Sequence, residues 1–205
     1  MKTIVIASQK GGVGKTTLAG HLSVQAERTG AGPVVVIDTD PQGSLTWWWN
    51  ARQAETPALV QATGDLPRQL ADLKQSGVRL VVIDTPPAAS DWTLGAIQVA
   101  DLVLIPTRPS PHDLHAVGAT VEMVEAAGRK MVFVINGAPA RAKITGEAAI
   151  ALSQHGKVAP VTIFQRVDFA SSMIDGRTVQ ELDPKSRSAG EIAQLWEYLN
   201  TQLRK

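Results

Sequence analysis

Gln9-Lys10-Gly11-Gly12-Val13-Gly14-Lys15-Thr16-Thr17 decides the fold of this 205-residue chain, because it carries the chemistry of a phosphate-binding loop without its usual spelling. The common pattern, G-x-x-x-x-G-K-[ST], would place a glycine where Gln9 stands. What survives is the physical core. Gly11, Gly12 and Gly14 let backbone approach an anion closely, and the N–H groups opening the next helix point at it. Lys15 is placed to meet β- and γ-phosphate and the Thr16 hydroxyl to ligate magnesium, with Val13 and Thr17 completing the cradle. Upstream, Thr3-Ile4-Val5-Ile6-Ala7 reads as a buried strand, and Leu18 to Arg28 reads as a helix. Strand, loop and helix are the context the motif demands. Lys10 is surplus: it lies too far before the end of the loop to reach phosphates held by its own helix, so it needs another destination.

Outward from the loop, short apolar runs alternate with longer amphipathic segments. Pro33 to Ile37, Leu80 to Ile83, Leu102 to Ile105, Met131 to Ile135 and Pro160 to Phe164 read as strands buried on both faces. Leu66 to Gln75, Leu94 to Ala100, His112 to Ala127, Gly146 to His155 and Ala189 to Leu203 carry helical spacing. The alternation predicts an α/β fold, a doubly wound, mostly parallel sheet flanked by helices. With no repeat, low-complexity tract or linker, residues 1–205 are expected to form a single P-loop domain.

Lys10 through Thr16 matches K-G-G-x-G-K-[ST] at every fixed position, and here the sequence resembles the ParA/MinD family of deviant Walker A ATPases. The resemblance implies ATP and Mg2+ as cofactors. It also implies that Lys10 reaches across a dimer interface to the partner's nucleotide, so that the dimer exists only with ATP bound. Ligands of such sheets sit at the carboxyl ends of strands. There Asp38-Thr39-Asp40-Pro41-Gln42-Gly43 resembles the family's D-x-D-P-Q-G signature. By that resemblance Asp40 positions and helps activate the attacking water, and Asp38 shapes the magnesium shell. Val81-Val82-Ile83-Asp84-Thr85-Pro86-Pro87 has the form of a Walker B strand, implying that Asp84 holds magnesium through a water. Asn136, after Met131 to Ile135, resembles the family asparagine that pairs with adenine; its amide offers the donor and acceptor the base edge requires. Gly137 follows it where relatives commonly carry a basic residue. The Pro-rich exit Ile105 to Pro111 is assigned geometry and no chemistry.

Composition removes several relatives. The chain has no cysteine, which excludes the cluster-bearing reductases and iron–sulfur scaffold ATPases that share the deviant loop. A single tyrosine, Tyr198, argues against the tyrosine kinases of this fold. No apolar run approaches the ~20 residues that span a bilayer, and the chain opens on its first strand, so a cytoplasmic location is expected. The resemblance extends through Arg166 to Val179 and on to the Glu191-Ile192 helix, and is nearest to compact ParA proteins, which lack an N-terminal helix-turn-helix domain.

The output of such a switch is less plainly written. Twenty basic residues against 19 acidic give a formal charge of +1, too little for a global basic field. Locally, Arg141, Lys143, Arg166, Arg177, Lys185 and Arg187 are the candidate contacts to DNA phosphate. The resemblance implies non-specific binding to nucleoid DNA by the ATP-bound homodimer. It further implies slow hydrolysis stimulated by a ParB-like or analogous adaptor, and a plasmid, chromosome or protein cargo. The rival is a MinD-like membrane-cycling ATPase. Its tail would be a basic amphipathic helix, whereas the cations here are only Arg204 and Lys205, so no stable membrane association is expected. A metabolic P-loop enzyme is the remaining alternative. Trp47, Trp48 and Trp49 point three ways on a helix, so they cannot form one stacking platform, and packing is expected of them.

Overall fold

The computed structural model describes all 205 residues. In chain order the elements are β1 (Lys2–Ile6), α1 (Lys15–Arg28), β2 (Val34–Asp38), α2 (Ser44–Asn50), β3 (Ala58–Gln61), α3 (Leu66–Gln75), β4 (Leu80–Asp84), α4 (Asp91–Val99), β5 (Leu102–Thr107), α5 (Pro111–Ala126), β6 (Met131–Ala138), α6 (Lys143–Ser153), β7 (Lys157–Val158), β8 (Ile163–Phe164), α7 (Val167–Met173), α8 (Val179–Leu182) and α9 (Arg187–Arg204). The sheet runs β3-β2-β4-β1-β5-β6-β7 with β8 also on β6, and every pairing is parallel.

Side-chain alternation explains why helices cover both faces. Ile4, Ile6, Val34, Val36, Val82, Leu102 and Leu104 point to one side, where Leu18 and Leu22 of α1 and Leu195 and Leu199 of α9 meet them. Val5, Val35, Ile37, Val81, Ile83, Val103 and Ile105 point to the other, against Leu70 of α3, Ile97 of α4, Val121 of α5 and Leu152 of α6. Register then assembles the functional end. Asp84 lies opposite both Ile6 and Asp38, so the phosphate loop and two aspartates leave the sheet side by side. Thr107 pairs with Ile135, which puts Asn136 one residue beyond the same edge.

Some expectations need correction. Pro160 to Phe164 shrinks to Ile163–Phe164: proline has no N–H to donate, and the pairing with β6 is irregular between Asn136 and Ala138. The edge strands β3 and β7 escape a search for apolar runs because they are four and two residues long, with no buried residue in either. The short helices α2, α7 and α8 were likewise outside the pattern. α9 covers the predicted terminal helix, and its apolar stripe is spent on the core: Ile192, Leu195, Trp196, Leu199 and Leu203 are buried, and Trp196 Nε1 donates to Thr29 Oγ1 at 2.8 Å. No helix is long and apolar enough to cross a membrane.

The tryptophans separate as their helix requires. Trp48 is buried against α1, where Gly20 leaves room for it; a Cβ there would lie 3.2 Å from the indole. Its Nε1 donates to the Arg177 carbonyl at 3.1 Å, and Trp49 Nε1 donates to that of Pro57 at 2.7 Å. Trp47 is 62% exposed.

Candidate nucleotide-binding site

The loop between β1 and α1 closes on itself through its lysine. Lys15 is buried, and its Nζ donates to the carbonyls of Ser8 at 3.1 Å and Lys10 at 3.2 Å. Burial lowers its pKa, and the charges of Asp84 and Asp40 oppose that shift. Gly14 enters α1 at φ +90°, a left-handed conformation that a β-carbon would strain.

Thr16 Oγ1 donates to Asp84 Oδ2 at 2.6 Å. Burial drives the Asp84 carboxyl up to about 7; the Thr16 bond opposes this, and the neighbouring charge of Asp38 adds to it. Asp84 Oδ1 is buried with no hydrogen-bond partner. An orphaned carboxylate oxygen beside a loop threonine fits magnesium, which is held by few protein oxygens together with substrate phosphate and water. The chain has no cluster of three or more carboxylate, imidazole or thiolate groups that would hold a metal alone. Threonine hydroxyls lace the strand ends beneath: Thr39 Oγ1 donates to the Asp84 carbonyl at 2.7 Å, and Thr85 Oγ1 to that of Ile6 at 2.9 Å.

Asp38, beside Asp84 on the neighbouring strand, is tied to the turn that follows it. Its Oδ1 accepts from Asp40 N at 3.1 Å, and its Oδ2 accepts from Thr46 N at 2.8 Å and Thr46 Oγ1 at 3.0 Å. Both oxygens therefore serve the turn carrying Asp40 and the start of α2, which makes Asp38 a positioning residue for that segment. Asp40 Oδ1 accepts from Gln42 N at 3.0 Å, while Oδ2 takes none of the chain's hydrogen bonds and the side chain faces the cleft.

The cleft, about 640 Å³, is lined by the loop from Gly11 to Leu18 together with Asp40, Trp47, Arg108, Asn136 and the segment Ile163 to Arg166. Asn136 Nδ2 donates to the Val13 carbonyl at 2.5 Å, so its amide nitrogen braces the loop, and its oxygen takes none of the chain's hydrogen bonds. Lys10 is exposed, does not line the cleft, and its side chain makes no hydrogen bond or ion pair within the chain.

The six basic residues proposed for DNA do not form one set. Arg141, Lys143, Lys185 and Arg187 are exposed, around the start of α6 and the start of α9. Arg177 is exposed but pairs with Asp175 at 2.6 Å. Arg166 leaves the group of free cations: it pairs with Glu191 at 2.6 Å, stacks over Phe164 and walls the nucleotide cleft.

Two buried groups behind the loop were invisible in the sequence. His21 on α1 engages the Thr17 carbonyl through Nδ1 at 2.7 Å, which fixes Nε2 as the acceptor for Val179 N at 3.3 Å. Burial pushes its pKa down to about 4. Arg52 forms a fork with Glu181, at 2.8 and 3.1 Å, donates to the Gly176 carbonyl at 2.6 Å, and lies 4.8 Å over Trp48. Neither sits at a strand end, so no motif marks it. Arg108 does follow an apolar strand, and the strand-end rule applied there would have found it.

A glycine loop after β1, a helix opening on it and an aspartate ending β4 define a P-loop nucleotide-binding protein. Residues 4–179 match the family described as the CobQ/CobB/MinD/ParA nucleotide binding domain, and the chain belongs to it. It is 32% identical over 200 residues to the maintenance of carboxysome distribution protein A of Halothiobacillus neapolitanus, covering 92% of this chain and 91% of that protein. Against the chromosome-partitioning ATPase Soj of Thermus thermophilus, identity is 30% over 236 residues, covering 96% and 94%. In fold it is similar to the septum site-determining protein MinD of Pyrococcus horikoshii complexed with Mg-ADP, with a TM-score of 0.80 at 18% identity, covering 97% and 96%.

Proposed function

We propose that this chain is a ParA-type positioning ATPase that dimerises on Mg-ATP, binds DNA without sequence preference and carries a cargo along it. Lys10 is the observation that carries the reading. Its backbone belongs to the phosphate loop, yet its ammonium group stands outside the cleft with no partner in its own chain. A cation in that position is available to phosphate on a second subunit facing the first. Thr16 and Asp84 would hold magnesium, which neutralises charge on the β- and γ-phosphate oxygens.

Asp40 accepts a hydrogen bond from the attacking water, and Asp38 keeps it in place through the turn. Water adds to the γ-phosphorus as the bond to the ADP oxygen breaks. No arginine finger stands in the motifs, so turnover is slow until a ParB-like or analogous adaptor binds. Arg141, Lys143, Lys185 and Arg187 supply phosphate contacts that dimerisation doubles, which makes DNA binding ATP-dependent and salt-sensitive. The relatives named for carboxysome distribution and chromosome partitioning support this class of work. A nucleoid-associated, cytoplasmic location follows from the same reading.

Sedimentation of the wild type and Lys10→Ala with ATP or ADP tests it, together with co-pelleting on DNA and on anionic liposomes. ATP alone should produce a dimer that pellets with DNA and ignores liposomes, and K10A should remain monomeric while still binding nucleotide. A K10A dimer identical to wild type would remove the bridging role, and liposome binding without DNA binding would favour a membrane cycle.

A further inference from the structure

The guanidinium of Arg108 spans the mouth of the nucleotide cleft. A Cβ built on Gly12 would lie 3.7 Å from Arg108 Nη2, and one built on Gly137 would lie 3.7 Å from its Nε. The side chain therefore lies between the phosphate loop and the residue after Asn136, within ordinary contact distance of a Cβ at either position. It is exposed and enters none of the chain's four ion pairs. The other arginine of the cleft, Arg166, is neutralised by Glu191.

The backbone beneath Arg108 is constrained from both sides. Thr107 ends β5 in register with Ile135, and the following Pro109 is buried and holds Arg108 away from helical conformation. Ser110 N donates to the Arg108 carbonyl at 2.8 Å, and Ser110 then caps α5. A planar donor fork on a fixed stem, set over the glycine loop, matches the geometry of a phosphate ligand.

We infer that Arg108 is a second cationic ligand, beside Lys15, for the phosphate chain of the nucleotide bound in its own subunit. This rests on the reading of the cleft as an ATP site, and it gives the Pro-rich segment after β5 a role in binding as well as in geometry. A contact made equally to bound substrate and to the transition state strengthens binding without raising the rate of the chemical step. Arg108 therefore acts on Kd and KM, and kcat stays with Asp40.

The test is titration of wild type, Arg108→Ala and Arg108→Lys with ADP, which requires no second subunit, and with adenosine, which has no phosphate. R108A should bind ADP about tenfold more weakly, a loss of about 1.4 kcal/mol, with R108K intermediate and adenosine unaffected. Thermal melting should be unchanged in both variants, since the side chain has no partner to lose. Equal ADP affinity in wild type and R108A overturns the inference. Equal affinity combined with loss of ATP-dependent dimerisation also overturns it, placing the guanidinium on the partner's nucleotide. Matching losses for ADP and adenosine would move the contact to base or ribose. A wild type that binds no nucleotide would instead sink the underlying site.

Discussion

The hydroxyl of Thr16 donates to one oxygen of Asp84 at 2.6 Å while the other oxygen of that carboxylate stays buried and unpartnered. A carboxylate in this position is a liability to the apo fold and an asset to a cation. Asp84→Asn should leave the apo protein at least as stable as wild type at pH 8, because it removes a desolvated charge. It should also abolish magnesium-dependent turnover. Melting curves and phosphate release on one preparation decide this; a large loss of apo stability would show that the charge is compensated within the chain.

The same aspartate and His21 pull the stability curve in opposite directions with pH. Asp84 titrates near 7 in the fold and near 3.8 when unfolded, so over that interval the folded state holds more protons and Asp84's contribution falls as pH rises. His21 titrates near 4 in the fold and near 6.5 when unfolded, so its contribution is lost as pH falls through that range. From pH 6.5 to 4 the two slopes offset each other, each at most about 1.4 kcal/mol per pH unit. Asp84→Asn should therefore expose a loss of stability on acidification that wild type hides. Denaturant melts at pH 5 and 7 would show it, and parallel behaviour of the two proteins would refute the pairing.

Asp40 predicts a separable defect. Asp40→Ala removes the carboxylate proposed to accept the water's hydrogen bond and leaves the residues of the loop, Lys10 and Asp84 in place. Turnover should fall by at least about 100-fold while ATP-dependent dimerisation and DNA binding persist. Multiple-turnover phosphate release beside a DNA-shift assay makes the separation visible; normal hydrolysis in D40A would take the role from Asp40.

Arg52 and Glu181 should matter to the fold and not to the chemistry. The Arg52 side chain is 2% exposed and that of Glu181 20%. Burial raises the Glu181 carboxyl, but hydrogen bonds and charge from Arg52, with help from Thr178, hold it below the ordinary carboxylate range. Arg52→Ala leaves Glu181 Oε1 and the Gly176 carbonyl without their donor, with only the Thr178 bonds to Oε2 remaining, and should cost about 3 kcal/mol. Chemical denaturation measures this directly, and a cost under about 0.5 kcal/mol would mean that water replaces the guanidinium.

Much of the site was legible because strand-end chemistry is local. Asp84 and Asn136 each end or follow a run of apolar residues, Lys15 and Thr16 close the glycine motif that follows another, and a parallel sheet brings all such ends to one edge whatever lies between them. The hydrogen bonds of Asp38 were hidden because spacing shows that a carboxylate is near the site without showing which donors claim it. The pairing of Arg166 was hidden for a related reason: Glu191, 25 residues on, meets it only once α9 has folded back beside β8. His21 and Arg52 owe their character to burial beneath α7 and α8, and short irregular segments of that kind leave no periodic trace.

The bond from the Lys15 ammonium to the carbonyl of Lys10 makes the two lysines a coupled pair. Phosphate entering the loop would compete for that ammonium and so would loosen its hold on the peptide from which the outward-facing lysine extends. One peptide unit thus lies between the group that would meet phosphate and the lysine that faces solvent.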